Sequence, residues 1–161
     1  MRAIVFMIFV VVVAPVAAAI GASLDSAKEK YDRMAEIKGE PPPSYAFRSG
    51  DAIIELVFTP TVVSRINVFY AHTPSDTLEA LLERFSGRPG WKSRPHDDPE
   101  FERQFSGYGV VTDRFYVAGE VYALVRRDFG SSKLMLLIQT SDFLRYSAEL
   151  PKKKENVPTR R

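Results

Sequence analysis

The sequence predicts an α+β domain built on a small antiparallel sheet of about five strands, with one amphipathic helix packed on one face. Strand-like segments rich in β-branched and aromatic residues come in two groups, and a strongly periodic helical segment separates them. Regular alternation of strands and helices, typical of a parallel sheet, is absent. The predicted order is therefore ββ-α-βββ, with an export segment and a further helix before it.

The first residues have the layout of a secretory signal peptide. An apolar run extends from Ala3 to Val13, Pro15 interrupts it, and Ala17-Ala18-Ala19 offers an A-x-A cleavage site. We expect residues 1–19 to be removed on export to the periplasm or the extracellular space. The alternative is an uncleaved membrane anchor to residue 22, since residues 3–22 are just long enough to cross a bilayer.

Residues 23–44 predict a helix followed by a proline-rich spacer. Gly39 and Pro41-Pro42-Pro43 end the helical pattern, and three consecutive prolines favour an extended polyproline conformation. We therefore expect the α+β domain to comprise residues 45–150. The apolar residues that predict the helix, over residues 23–38, are Leu24, Ala27, Tyr31, Met34 and Ala35.

The charge distribution separates the last residues from the rest of the chain. The chain has 22 basic and 20 acidic side chains. Arg2 and residues 151–161 together hold six of the basic side chains and one of the acidic ones. Residues 3–150 therefore hold 16 basic and 19 acidic side chains. The body is therefore no basic nucleic-acid binder. Residues 151–161 read as a basic disordered tail, with membrane proximity through this tail or through residues 3–22 as the alternative.

The clearest element is the helix between the two groups of strands. Thr73 followed by Pro74 predicts an N-cap and a first helical residue, and Gly87 predicts the C-terminal cap. The strands on either side are predicted at residues 52–59, 62–70, 110–118, 121–127 and 133–140. The apolar positions that predict the helix are Leu78, Leu81, Leu82 and Phe85, one face of a helix that lies on a sheet.

Four shorter features complete the predicted fold. Asp98-Pro99 predicts the start of a short helix, with the aspartate as N-cap. Gly119 predicts a tight turn between two strands. Residues 134–138, which are apolar on both faces, predict a central strand. Ser141 with Asp142 predicts a final helix that runs to Leu150.

Two sets of residues are candidates for binding. Tyr116 and Arg114 share a predicted strand face with Thr112, and such a mixed face can hold a partner strand or an apolar ligand with a polar end. Trp91, the chain's single tryptophan, can anchor a partner if it is exposed. The ordinary alternative is that Trp91 folds back over the core, because it brings a large apolar area.

The two histidines support an enzymatic alternative only weakly. His96 lies beside Asp97 and Asp98, and His72 follows a predicted strand, but consecutive residues do not converge on one metal ion. The chain contains no cysteine, which excludes disulfides, thiolate metal sites and thiol catalysis. We therefore expect no catalytic residue, metal or cofactor.

The sequence thus predicts an exported or envelope-associated binding or assembly module. Its partner is expected to be another envelope protein or an apolar or amphipathic ligand, and not a nucleic acid. Two alternatives stay open: a metal-dependent or histidine-assisted hydrolase that uses His72, His96 and nearby acids, and a membrane-tethered structural subunit with residues 23–44 as its stalk.

Overall fold

A computed structural model describes residues 20–31, 33–37, 42–105, 113–128 and 132–149. In this part of the chain, eight strands form one antiparallel sheet in the order β1-β2-β3-β4-β8-β7-β6-β5. The prediction of a small five-stranded sheet is therefore wrong. The strands are β1 (Ala35–Ile37), β2 (Ser44–Ser49), β3 (Ala52–Phe58), β4 (Val63–Tyr70), β5 (Lys92–Arg94), β6 (Asp113–Ala118), β7 (Val121–Asp128) and β8 (Lys133–Thr140).

Helices lie on both faces of this sheet, whereas the sequence predicted a helix on one face. We call the face that carries Leu136 of β8 the inner face and the face that carries Leu137 the outer face. α1 and α2 pack on the inner face, and α3 and α4 on the outer face. The helices are α1 (Leu24–Lys30), α2 (Leu78–Ser86), α3 (Pro99–Gln104) and α4 (Ser141–Glu149).

The central position predicted for residues 134–138 is confirmed. β8 lies between β4 and β7, and its residues Leu136 and Leu137 are buried on opposite faces. β4 pairs with β8 through Ile66↔Ile138 and Val68↔Leu136, all of which are fully buried. A strand that is covered on both faces needs apolar side chains at successive positions, which this sequence supplies.

The core under α2 is the one that the helical periodicity predicted. Leu81, Leu82 and Phe85 are buried against the inner face. Gly87 ends the helix in the left-handed conformation, with φ of 68°, which glycine adopts at low cost. The predicted N-cap is wrong, since Thr77 and not Thr73 caps the helix.

The reason lies in what the two threonine hydroxyls bind. Thr77 Oγ1 accepts a hydrogen bond from the Ala80 amide, as an N-cap does. Thr73 Oγ1 instead donates to the Ser132 carbonyl at 3.0 Å, which ties it to the turn before β8. A tertiary contact therefore holds Thr73 outside the helix.

Residues 23–31 and 42–44 belong to the folded domain, in place of the separate helix and spacer that we expected. Ala27 is buried in the inner core, and the ring of Tyr31 stacks on that of Phe47 with centroids 4.3 Å apart. Ala35, expected in the helix, begins β1, and Ser44 begins β2. The spacer's residues 38–41 lie outside the described residues.

Several local predictions are confirmed. The Asp98 side chain caps α3, with Pro99 in its first turn. Gly119 makes the turn between β6 and β7 with φ of 62°. β5 was missed, because three exposed polar residues carry no strand pattern. No helix of the described residues is long and apolar enough to span a membrane, and residues 1–19 and 151–161 lie outside the described part.

Replacing Tyr31 with phenylalanine should leave the free energy of unfolding unchanged or raise it by up to about 1 kcal/mol. The Tyr31 hydroxyl is buried and has no hydrogen-bond partner among the described residues, so the fold pays for its desolvation. Urea unfolding measures the change. Tyr31→Ala is the contrasting variant, because losing the stacked ring should cost about 3 kcal/mol.

The wild-type protein and Tyr31→Phe can also be compared at high pH, where the Tyr31 hydroxyl loses its proton. Burial raises the pKa of Tyr31 to about 12, above its ordinary value of 10. The wild-type protein should therefore lose stability as the pH rises from about 10 towards 12, since the unfolded chain gives up this proton first. Tyr31→Phe should lose less over the same interval, and an equal loss in both proteins would contradict the assignment.

Candidate functional site

The outer face is only partly covered by helices. α3 covers β6, β7 and β8, where Phe101 and Phe105 pack on Phe115, Leu124 and Leu137. Across β3 and β4 the same face is open at one end. There the strand register places a continuous row of side chains from β2 to β6, in the order Arg48, Ile53, Phe69, Met135, Arg126 and Asp113.

Three neighbouring members of this row form what we call the outer apolar patch: Ile53, Phe69 and Met135. Ile53 and Phe69 are 47% and 42% exposed, and Met135 is half-buried. Each pair is directly opposed across neighbouring strands, so the three side chains are in contact range. Adjacent exposed apolar residues of this size are more informative than single ones, because they mark surfaces that bind.

A hollow lies at the edge of the outer apolar patch. Its volume is about 180 Å³, space for a small group and not for a large ligand. Phe69 and Met135 are shared between the patch and the hollow. The other lining residues are Tyr70, Leu134, Arg126 and Lys133, so that apolar side chains form most of the wall and two cationic residues stand beside it.

The two cations beside the hollow differ in their exposure to solvent. Arg126 donates two hydrogen bonds of 2.8 Å to the carboxylate of Asp113, which is completely buried. This bidentate geometry holds the guanidinium in place and neutralises much of its charge. Lys133 is exposed at the start of β8. Lys133 is thus the more exposed of the two cations beside the hollow, and it lies opposite Asp128 of β7 in the strand register.

A polar network closes the other end of the outer face. The Gln139 side-chain amide donates to the Gln104 carbonyl at 2.8 Å, and Arg65 Nε donates to Gln139 Oε1 at 3.0 Å. The Arg65 guanidinium lies 4.1 Å from the ring centre of Phe143. These contacts join α3 and α4 to β4 and β8, so the two helices cover this end of the outer face.

A carboxylate on α3 is paired and ionised. A hydrogen bond from Arg103, followed by one from Gln104, lowers the pKa of Glu100 despite an opposing effect of burial. Burial, and then the charge of Glu100, raise the pKa of Tyr122. Glu100 is thus held as the charged form at neutral pH and is unsuited to act as a general acid.

The residues that the sequence predicted for binding differ in their exposure to solvent. Arg114 and Tyr116 do share the inner face, but Tyr116 is 2% exposed within the inner core while Arg114 is exposed. Trp91 is 8% exposed and packs in the same core, as expected of a ring that covers it. Thr112 lies outside the described residues. The mixed binding face that these residues suggested is therefore covered at Tyr116.

The histidines and nearby acids do not form a metal site in the described part of the chain. His72 and His96 are both exposed, and the His96 ring lies edge-on to Phe101 with centroids 5.4 Å apart. Among the described residues, no three histidine or acidic side chains are close enough to hold a metal ion.

The outer apolar patch was missed, although the sequence held one indication of it. In the alternating strand Val63–Tyr70, Phe69 falls on the same face as Arg65 and Asn67. A phenylalanine on an otherwise polar strand face is the one sequence feature that lies at the patch, although a single apolar residue does not by itself indicate a binding surface. Ile53 gave no such indication, because it lies within a continuous apolar run.

Comparisons with known proteins assign no family. No family model and no curated protein match the chain. Among solved structures, the crystal structure of a cysteine-rich secretory protein from Staphylococcus aureus matches with 13% sequence identity and a TM-score of 0.40. The match covers 78% of this chain and 46% of that one, so the chain spans about half the length of the protein it matches. A likeness this distant carries no argument about fold or function.

Replacing Arg126 with methionine should lower the free energy of unfolding by about 3 kcal/mol, because it leaves the buried Asp113 carboxylate without its partner. Chemical denaturation measures the loss. Arg103→Met is the matched control, since it breaks a solvent-exposed pair with Glu100 and should change stability very little. Equal losses in the two variants would contradict the role given to the Arg126–Asp113 pair.

Proposed function

We propose that this protein is an exported binding module without catalytic activity, which holds an amphipathic ligand against the outer apolar patch. The observation that carries the proposal is the contiguous exposure of Ile53 and Phe69 beside the hollow. The signal-peptide layout of residues 1–19 supports export. Among the described residues neither histidine belongs to a group that could hold a metal ion, which favours binding over the alternative of a metal-dependent hydrolase.

The chemistry of the site indicates the class of ligand. An apolar body can cover Phe69 and Met135, while a small group enters the hollow. An anionic end can then approach Lys133, which is exposed, whereas Arg126 is held by its pair with Asp113. A molecule with an apolar body and one negative charge fits this arrangement better than a neutral or cationic one.

Phe69→Ser should weaken the binding of anilinonaphthalene sulfonate, an apolar anionic dye, by about tenfold. The half-exposed ring offers an apolar contact of about 1.5 kcal/mol, which is a factor of ten in the dissociation constant. Fluorescence titration of the folded protein measures the affinity. Val62→Ser is the matched control, because Val62 is also an exposed apolar residue but lies away from the patch.

A second pair of variants tests the charge. Lys133→Glu should weaken dye binding further, whereas Arg114→Glu, which reverses an exposed cation on the other face, should leave it unchanged. Thermal unfolding confirms that the variants are folded. Equal dye binding by wild type, Phe69→Ser and Lys133→Glu would overturn the proposed site, and loss in Arg114→Glu alone would place the ligand on the inner face.

A further inference from the structure

Ile20 is built into the domain although it directly follows the predicted export segment. Its side chain is 7% exposed and belongs to the inner core. The next residues pair with the start of β4: the Gly21 amide donates to the Val63 carbonyl, and the Val63 amide donates to the Ala22 carbonyl, both at 2.8 Å. Gly21 has φ of 90°, so a glycine is needed at this bend.

The backbone nitrogen of Ile20 lies at the C-terminal end of α2. It donates to the carbonyl of Ser86, the last residue of that helix, at 3.2 Å. Carbonyl groups at the end of a helix carry the negative end of the helix dipole, which favours a positive charge beside them. The position occupied by the Ile20 nitrogen is therefore one where an ammonium group binds better than a neutral amide.

We propose that export cleavage between Ala19 and Ile20 completes this contact. The motif Ala17-Ala18-Ala19 places the scissile bond directly before Ile20. A signal peptidase adds water across that amide: the Ala19 carbonyl carbon takes the hydroxyl and the Ile20 nitrogen takes the remaining proton as the C–N bond breaks. The new carboxyl group then gives its own proton to the amine through solvent, which leaves a carboxylate on Ala19 and an ammonium on Ile20. The new terminus then lies against the Ser86 carbonyl and forms a charge-assisted hydrogen bond.

The same contacts weigh against an uncleaved anchor to residue 22. Ile20, Gly21 and Ala22 are used by the domain, so a membrane span has only the 17 residues from Ala3 to Ala19. That is the lower limit for a helix that crosses a bilayer, and Pro15 with the alanines after it makes its second half weakly hydrophobic. No linker separates such a span from the folded domain.

The first test is the intact mass of the exported chain. We expect a mature protein that starts at Ile20. An intact Met1 would overturn the proposal, and so would a start at any other residue, because the ammonium would then lie away from Ser86.

The second test compares two forms of the mature chain, one that starts at Ile20 and one that keeps Ala19 as its first residue. The longer form still donates the Ile20 amide proton to Ser86, but its charge lies one residue away, about 3.8 Å along the chain. The form that starts at Ile20 should have an unfolding constant about two- to fivefold smaller, with a melting temperature higher by a few degrees.

The salt dependence of this stability difference shows whether it comes from the terminal charge or from altered packing. The difference between the two forms should shrink as sodium chloride is raised towards about 1 M, since added ions screen the interaction of the terminal charge with the helix end. Two forms with the same melting temperature at low salt would overturn the proposal. A difference that persists unchanged at high salt would also overturn it, because the added alanine would then act by disturbing the packing.

Discussion

The pairing of β4 with β8 is the interaction on which the rest of the structure depends. It joins the first four strands to the last four, through residues such as Arg65 and Gln139 that are 74 positions apart in the chain. Its inner-face pairs, Ile66↔Ile138 and Val68↔Leu136, are fully buried. Without this pairing each half would expose an apolar strand edge, so the single sheet and the shared core form together.

The connections between strands explain why one part of the outer face stays open. β2, β3 and β4 follow one another through short turns, which bring no helix to their outer side. α3 and α4 both arise from the second half of the chain and cover β6, β7 and β8 and the end of β4 near Arg65. Ile53 and Phe69 remain exposed because no helix of the described residues follows or precedes these strands on their outer side.

Features that depend on neighbouring residues could be predicted from the sequence. The periodicity of α2, the Asp98 cap and the turn at Gly119 need only local information, and the structure has them. Features that depend on contacts between distant residues could not be predicted from the sequence. Ala35 continues a helical stripe in the sequence, yet it forms a strand because it pairs with Ala46 of β2.

The candidate site shows the same limit. Tyr116 looked available because an isolated strand does not show which of its faces the helices will cover. Phe69 broke the polar pattern of its strand face, but its exposure depends on Ile53 and Met135, which lie on other strands. A surface assembled from three strands cannot be read from any one of them.

The N-terminal contact and the outer apolar patch lie at opposite ends of β4. Ile20 is bonded to Ser86, and the next two residues to Val63, while Phe69 lies six residues further along the strand than Val63, a distance of about 20 Å, and on the outer side. Charge at the new terminus is screened over about 8 Å at physiological ionic strength, so it does not reach the patch. The proposed cleavage is therefore expected to change the stability of the domain without changing the affinity of the proposed ligand site, because the two lie at opposite ends of β4.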